Sequence, residues 1–169
     1  MPPSLEHLVQ VPDRRVLPPA ADVAGADLWG RRADVRVATL GCWTLLLFLG
    51  SRCDGCAPFW PAVDDPASLG LHRGDTVRVV THDAGREDAA AVRALLGDAG
   101  AASLAVMSSA AWRAYGVQGP PFFSLVDGAA VRSEGVCWSV GQVAADVERA
   151  RRGDAAPAFG ELEGLEREE

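Results

Sequence analysis

The sequence predicts an α/β fold, with a central mixed β-sheet and helices on both faces, from three observations. Strand-like and helix-like segments alternate over residues 35–115, a hairpin signal follows at 122–133, and the chain then closes on an amphipathic helix. Residues 35–39, Val-Arg-Val-Ala-Thr, alternate as in a half-exposed strand. Residues 44–49, Thr-Leu-Leu-Leu-Phe-Leu, read as a central strand covered on both faces, ended by Gly50, Ser51 and Arg52. Residues 53–63 predict a short helix kinked by Pro58 and Pro61 and closed by Asp64, Asp65 and Pro66.

Residues 76–81 alternate and are β-branched, the pattern of a strand. Residues 86–96 are Ala-rich with Val92, Leu95 and Leu96 on one helical face, so the two make a β-α unit. Residues 102–107 form a short apolar strand, after which Ser108 and Ser109 cap a brief helix that holds Ala111, Trp112 and Tyr115 and ends at Gly116. Residues 122–126 and 130–133, joined at Asp127 and Gly128, predict an antiparallel hairpin. Ser139 caps a last helix to about Arg152, with Val140, Val143, Ala144 and Val147 at three-four spacing.

Prolines at 2, 3, 12, 18 and 19 and weak periodicity mark residues 1–33 as an extended N-terminal arm, with Leu17 and Trp29 as anchors. Residues 34–153 form one folded domain, and residues 154–169 an acidic tail expected to be disordered. A chain of 169 residues can bury a core without disulfides or a structural metal. The net charge of -7 favours solubility, and all sixteen basic residues are scattered arginines, which sets aside nucleic acid as a partner. Residues 1–10 lack the basic start and apolar stretch of a signal peptide, and the longest apolar run is too short to span a bilayer. The chain as written therefore reads as cytoplasmic, with no membrane span.

Four cysteines, Cys42, Cys53, Cys56 and Cys137, are too few for a disulfide scaffold at this length, so a catalytic or metal role fits better. Cys53 and Cys56 stand where the apolar strand ends and a helix begins. Free backbone N–H groups and a partial positive charge there favour a thiolate. Structural zinc wants four ligands, whereas Cys42 and Cys137 stand alone and His7, His72 and His82 have no ligand spacing; no metal and no cofactor is expected. A buried pair packed as small hydrophobes is the plainer alternative.

The apolar strand, Cys53-Asp54-Gly55-Cys56, Pro61 five residues later and Pro121-Phe122 at a strand start together resemble the thioredoxin-like superfamily. The resemblance spans about residues 35–152, including the hairpin and the Ser139-Val140-Gly141-Gln142 helix start. The N-terminal arm is more similar to TlpA-type disulfide reductases than to short thioredoxins. It implies a thioredoxin-like domain over residues 34–153, with Cys53 as the exposed attacking thiol and Cys56 as the buried resolving thiol. It also implies that Pro121 follows a cis bond from Pro120 and faces the cysteines. Arg52, Asp54, Gly55, Trp60, Pro120 and Cys137 are the candidate substrate groove. The implied partners are a protein or small-molecule disulfide and an electron donor such as a thioredoxin reductase or a low-molecular-weight thiol. Cytosolic residence favours the reducing direction.

Two positions depart from the family pattern: Arg52 replaces the aromatic before the first cysteine, and Leu47 replaces a buried acid. A built-in proton acceptor for Cys56 is therefore missing, which slows resolution near neutral pH. Arg52 and Asp54 place opposite charges beside Cys53, each worth on the order of 1 kcal/mol, so they oppose one another. Cys137 reads either as a third thiol at the groove or as a small residue packed at a strand end. Trp43, Trp60, Trp112 and Trp138 read as core and rim packing, with Trp60 also a candidate border of the site. The functional expectation is a thiol–disulfide oxidoreductase. The alternatives are a thioredoxin-fold interaction module with little turnover and, more weakly, a peroxiredoxin-like thiol peroxidase, whose Thr-x-x-Cys arrangement is broken here by Gly50.

Overall fold

In the computed structural model, which describes residues 17–37, 42–97 and 99–153, the chain begins with β1 (Val23–Ala26), β2 (Arg32–Val35) and β3 (Trp43–Phe48). A 3-10 turn (Asp54–Cys56), α1 (Phe59–Ala62) and a second 3-10 turn (Pro66–Leu69) lead to β4 (Thr76–Thr81). There follow α2 (Ala89–Leu96), α3 (Ala99–Ala102), β5 (Ala105–Met107), α4 (Ser109–Ala114), β6 (Phe122–Asp127), β7 (Ala130–Val136) and α5 (Val140–Arg151). The seven strands form one mixed sheet in the order β2-β1-β5-β4-β3-β6-β7. β3, β4 and β5 run parallel, while β6 is antiparallel to β3 and β7 to β6.

β3 is paired on both edges and buried on both faces, which explains its unbroken apolar run. Because successive strand residues point to opposite faces, Leu45 and Leu47 join one core with α1, α2, α3 and α5, while Leu46 and Phe48 join another with Ala111, Trp112 and Tyr115 around α4. Asp88 accepts hydrogen bonds from the N–H groups of Ala90 and Ala91, so α2 starts at Ala89, later than the periodicity predicts. Val92 and Leu96 are buried on that helix and Leu95 is exposed. Ser139 and Gln142 close a capping box at the start of α5.

The extended arm expected over residues 1–33 is corrected over its described part. Residues 23–35 are a β-hairpin, and β1 joins the sheet beside β5 through Ala26 and Met107, so the boundary at 33/34 falls inside β2. Leu28 anchors the hairpin at 1% exposure, and Arg93 reaches from α2 to its carbonyl; the expected anchors Leu17 and Trp29 are exposed. The strand expected at 35–39 is displaced, since β2 ends at Val35, and residues 38 and 39 lie outside the described residues. Residues 1–16 and the acidic 154–169 also lie outside them.

The hairpin docks because residue 25 has no side chain. A Cβ built on Gly25 would stand 2.1 Å from the Met107 carbonyl oxygen, a backbone atom that cannot move aside. Gly25→Ala is expected to lose about 2–4 kcal/mol in urea unfolding and to open the β1–β2 hairpin to proteolysis. At Gly85 an added Cβ meets nothing within 4 Å, so Gly85→Ala serves as the control and should stay within about 0.5 kcal/mol of the parent.

Candidate active site

Sheet register brings three chain segments to one end of the sheet. Phe48, the last residue of β3, pairs with Phe122, the first of β6, and Phe122 pairs with Val136, the last of β7. The cysteine loop after β3, the prolines before β6 and Cys137 after β7 therefore meet at that end. The Pro120–Pro121 peptide bond is cis. Pro121 accepts a hydrogen bond from the Cys137 N–H at 2.9 Å. A Cβ on Gly55 would lie 3.4 Å from Pro121 Cδ, so glycine between the cysteines lets the proline ring close over them.

The single kinked helix predicted over 53–63 is instead two pieces. Proline lacks an N–H donor, and Pro58 and Pro61 interrupt the ladder: a 3-10 turn carries Asp54 to Cys56, and α1 begins after Pro58. Pro61 sits in the first turn of α1, where its missing donor leaves no bond unmade. The charge expected from a helix N-terminus at Cys53 is thereby reduced to a local turn. Cys53 is the residue before that turn, in an extended conformation, with its side chain free of any capping bond.

Cys53 is half-buried and Cys56 wholly buried; both are free thiols. Burial pushes the Cys56 thiol well above the ordinary range, reinforced by its hydrogen bond with Cys53 and by the charges of Cys53 and Cys137; a hydrogen bond with the Gly50 backbone opposes this. Cys137 is 4% exposed. Burial, with Asp146 adding, raises its thiol to about 12. It lies beneath the groove, correcting its placement as a groove-lining residue. Trp60 is a second correction: at 3% exposure it packs into the α1 core. Trp138 is the reverse case. It is 82% exposed, its N–H held by Gln142 Oε1 at 2.6 Å.

Arg52, Asp54 and Gly55 are exposed around Cys53. Glu87, which sequence reasoning missed, tethers the approach to Cys53: it accepts hydrogen bonds from Ser51 N at 3.0 Å and from the Ser51 hydroxyl. A Cβ on Gly50 would meet Glu87 Oε2 at 3.6 Å, Pro120 Cγ at 3.7 Å and Cys53 Cβ at 3.9 Å, so these groups converge on one glycine. A hollow of about 460 Å³ beside them is lined by Arg52, Arg86, Glu87 and Asp88 among others. Among the described residues, no group of three or more His, Cys, Asp or Glu side chains is placed to hold a metal ion, and no helix is long and apolar enough to cross a membrane.

No protein-family model and no curated protein matches the chain. Solved structures do. The thioredoxin domain of a thiol-disulfide oxidoreductase from Bacteroides vulgatus superposes with a TM-score of 0.59 at 17% identity, covering 81% of this chain and 96% of that one. A thioredoxin-family thiol:disulfide interchange protein from Chlorobium tepidum gives 0.58 at 19% identity, over 80% and 97%. A secreted disulfide oxidoreductase from Mycobacterium tuberculosis gives 0.58 at 16%, over 74% and 93%. The fold is thioredoxin-like, a mixed sheet with helices on both faces.

Both buried thiols have folded pKa values raised above the ordinary 9.0. Each contributes stability that is fully present below that unfolded value and is lost as pH rises through the folded one. Urea unfolding under reducing conditions is expected to show stability falling above about pH 9 by about 1.4 kcal/mol per pH unit for each thiol. Cys137→Ala should reduce that slope by one thiol's share. A flat profile would contradict the burial of both sulfurs.

Proposed function

We propose that this thioredoxin-fold chain is a thiol–disulfide oxidoreductase working as a disulfide reductase. The observation that supports it is a half-exposed Cys53 and a fully buried Cys56, both free thiols one turn apart, with the Pro121 ring against Gly55 between them. The Cys53 thiolate attacks one sulfur of a substrate disulfide. That S–S bond breaks, the departing substrate thiolate takes a proton from solvent, and a mixed disulfide forms. Cys56 then gives up its proton and attacks the Cys53 sulfur. The second substrate thiol leaves and a Cys53–Cys56 disulfide remains, two electrons having passed to the substrate. A low-molecular-weight thiol or a dedicated reductase returns the pair to the dithiol.

Oxidants of this kind depend on a stabilised thiolate in the reduced form, and burial provides no such stabilisation at Cys56, which supports the reducing direction. Such a protein works where the thiol pool is reducing. In the mixed disulfide the hydrogen bond and charge from Cys53 disappear, but desolvation, the largest cause of the raised pKa, stays. Resolution is therefore the slow step. Leu47, fully buried in the same apolar cluster as Cys56, supplies no carboxylate to speed it and favours a second reading, an interaction module with little turnover.

With glutathione disulfide and a model protein disulfide as substrates, Cys53→Ser is expected to lose about two orders of magnitude or more in turnover. Wild-type protein no faster than Cys53→Ser defeats the reductase reading and leaves the interaction module. Cys56→Ser should instead accumulate the mixed disulfide at Cys53, seen as an added substrate mass. In the wild type, release of substrate from the mixed disulfide should accelerate about tenfold per pH unit between about pH 7 and about pH 9, because Cys56 is protonated throughout that range. A resolution rate independent of pH would mean that Cys56 finds a proton acceptor inside the fold.

A further inference from the structure

Three of the four cysteines converge at the end of the sheet. The N–H of Cys137 is bound to the Pro121 carbonyl, and the Pro121 ring lies against Gly55, the residue before Cys56. Alternation past the end of β7 leaves Val136 and Trp138 exposed and turns the Cys137 side chain inward, to 4% exposure. There it joins the apolar cluster that holds Cys56 and against which Cys53 packs. Cys56 and Cys137 are buried in one cluster, and Cys137 is among the groups whose charge raises the Cys56 thiol. Cys42 precedes β3, at the far end of that strand from Cys53, and takes no part. A small apolar side chain would fill the Cys137 position equally well; a thiol beside a disulfide that forms in every turnover is also a reactant.

Resting on the oxidoreductase reading, we propose that Cys137 is a third redox thiol, which exchanges with the Cys53–Cys56 disulfide to leave a buried Cys56–Cys137 disulfide and a free Cys53. Cys137 gives up its proton and attacks the Cys56 sulfur. The Cys56–Cys137 bond forms as the Cys53–Cys56 bond breaks, and the departing Cys53 thiolate takes up a proton. No outside oxidant or reductant is consumed. The oxidised protein then keeps its attacking thiol at the surface, able to capture a second disulfide as a mixed species, while the stored disulfide is shielded from thiols in solution.

The test uses the full chain in a Cys42→Ser background, alone and combined with Cys53→Ser or with Cys137→Ala. Each protein is oxidised with one equivalent of diamide, labelled natively with N-ethylmaleimide, and its disulfide-linked peptides are read by mass spectrometry. The Cys53→Ser protein is expected to form Cys56–Cys137. The protein with three cysteines should show that linkage beside Cys53–Cys56, and its Cys53 should be labelled at least about tenfold more than in the Cys137→Ala protein. Free Cys56 and Cys137 in Cys53→Ser protein that keeps its folded circular dichroism, a Cys53–Cys137 linkage, or equal labelling of Cys53 with and without Cys137 overturns the proposal. Formation of Cys53–Cys56 alone, with normal turnover, overturns the exchange and leaves the reductase reading intact. Failure to form any disulfide, with no turnover, overturns both.

Discussion

Cys56 is fully buried just beyond the end of β3, the strand covered on both faces of the sheet, and its sulfur can be held there only as a neutral thiol unless it is bonded to another sulfur. Desolvation of that one group links stability and rate. It disfavours the thiolate, so the folded dithiol weakens at high pH. In the proposed reaction it also withholds the Cys56 thiolate, so the faster half belongs to Cys53, half-exposed at the surface.

The sheet sets this geometry through register rather than through the site residues themselves. Pairing of Phe48 with Phe122 and of Phe122 with Val136 fixes where the cysteine loop, Pro121 and Cys137 emerge. β4, parallel to β3, delivers the loop carrying Glu87 to the same end, where it holds Ser51 two residues before Cys53. Ligand sites in α/β sheets form where the carboxyl ends of parallel strands open a crevice, and this site follows that rule. The β1–β2 hairpin extends the sheet on the opposite side of β5, with Gly25 tight against Met107.

Much of this was legible in the sequence because period and capping agreed. The β3 run, the β4 alternation and the Ser139 start of α5 each carried two consistent signals, and each is where the sequence predicts it within a residue. β1 and β2 carry little sequence signal, because four-residue strands containing Ala, Gly and Asp show little periodicity and the nearby prolines suggest an arm. The 53–63 segment has a helix-like pattern, but Pro58 and Pro61 act as missing donors and split it rather than kink it. Which tryptophan is core and which is rim is something composition cannot supply: α1 turns Trp60 into the core, while the inward turn of Cys137 leaves Trp138 outside. Glu87 carried no local signal, since its partner Ser51 lies 36 residues away in the chain.

The reduction potential of the Cys53–Cys56 pair tests the central claim most directly, measured by equilibrating the protein in glutathione or dithiothreitol buffers and counting free thiols. The proposed reductase role predicts a single two-electron transition more negative than roughly −220 mV, in the range of reductants such as thioredoxin. A potential near about −120 mV, where oxidants with a stabilised thiolate lie, or no disulfide between Cys53 and Cys56 at any poise, would contradict it.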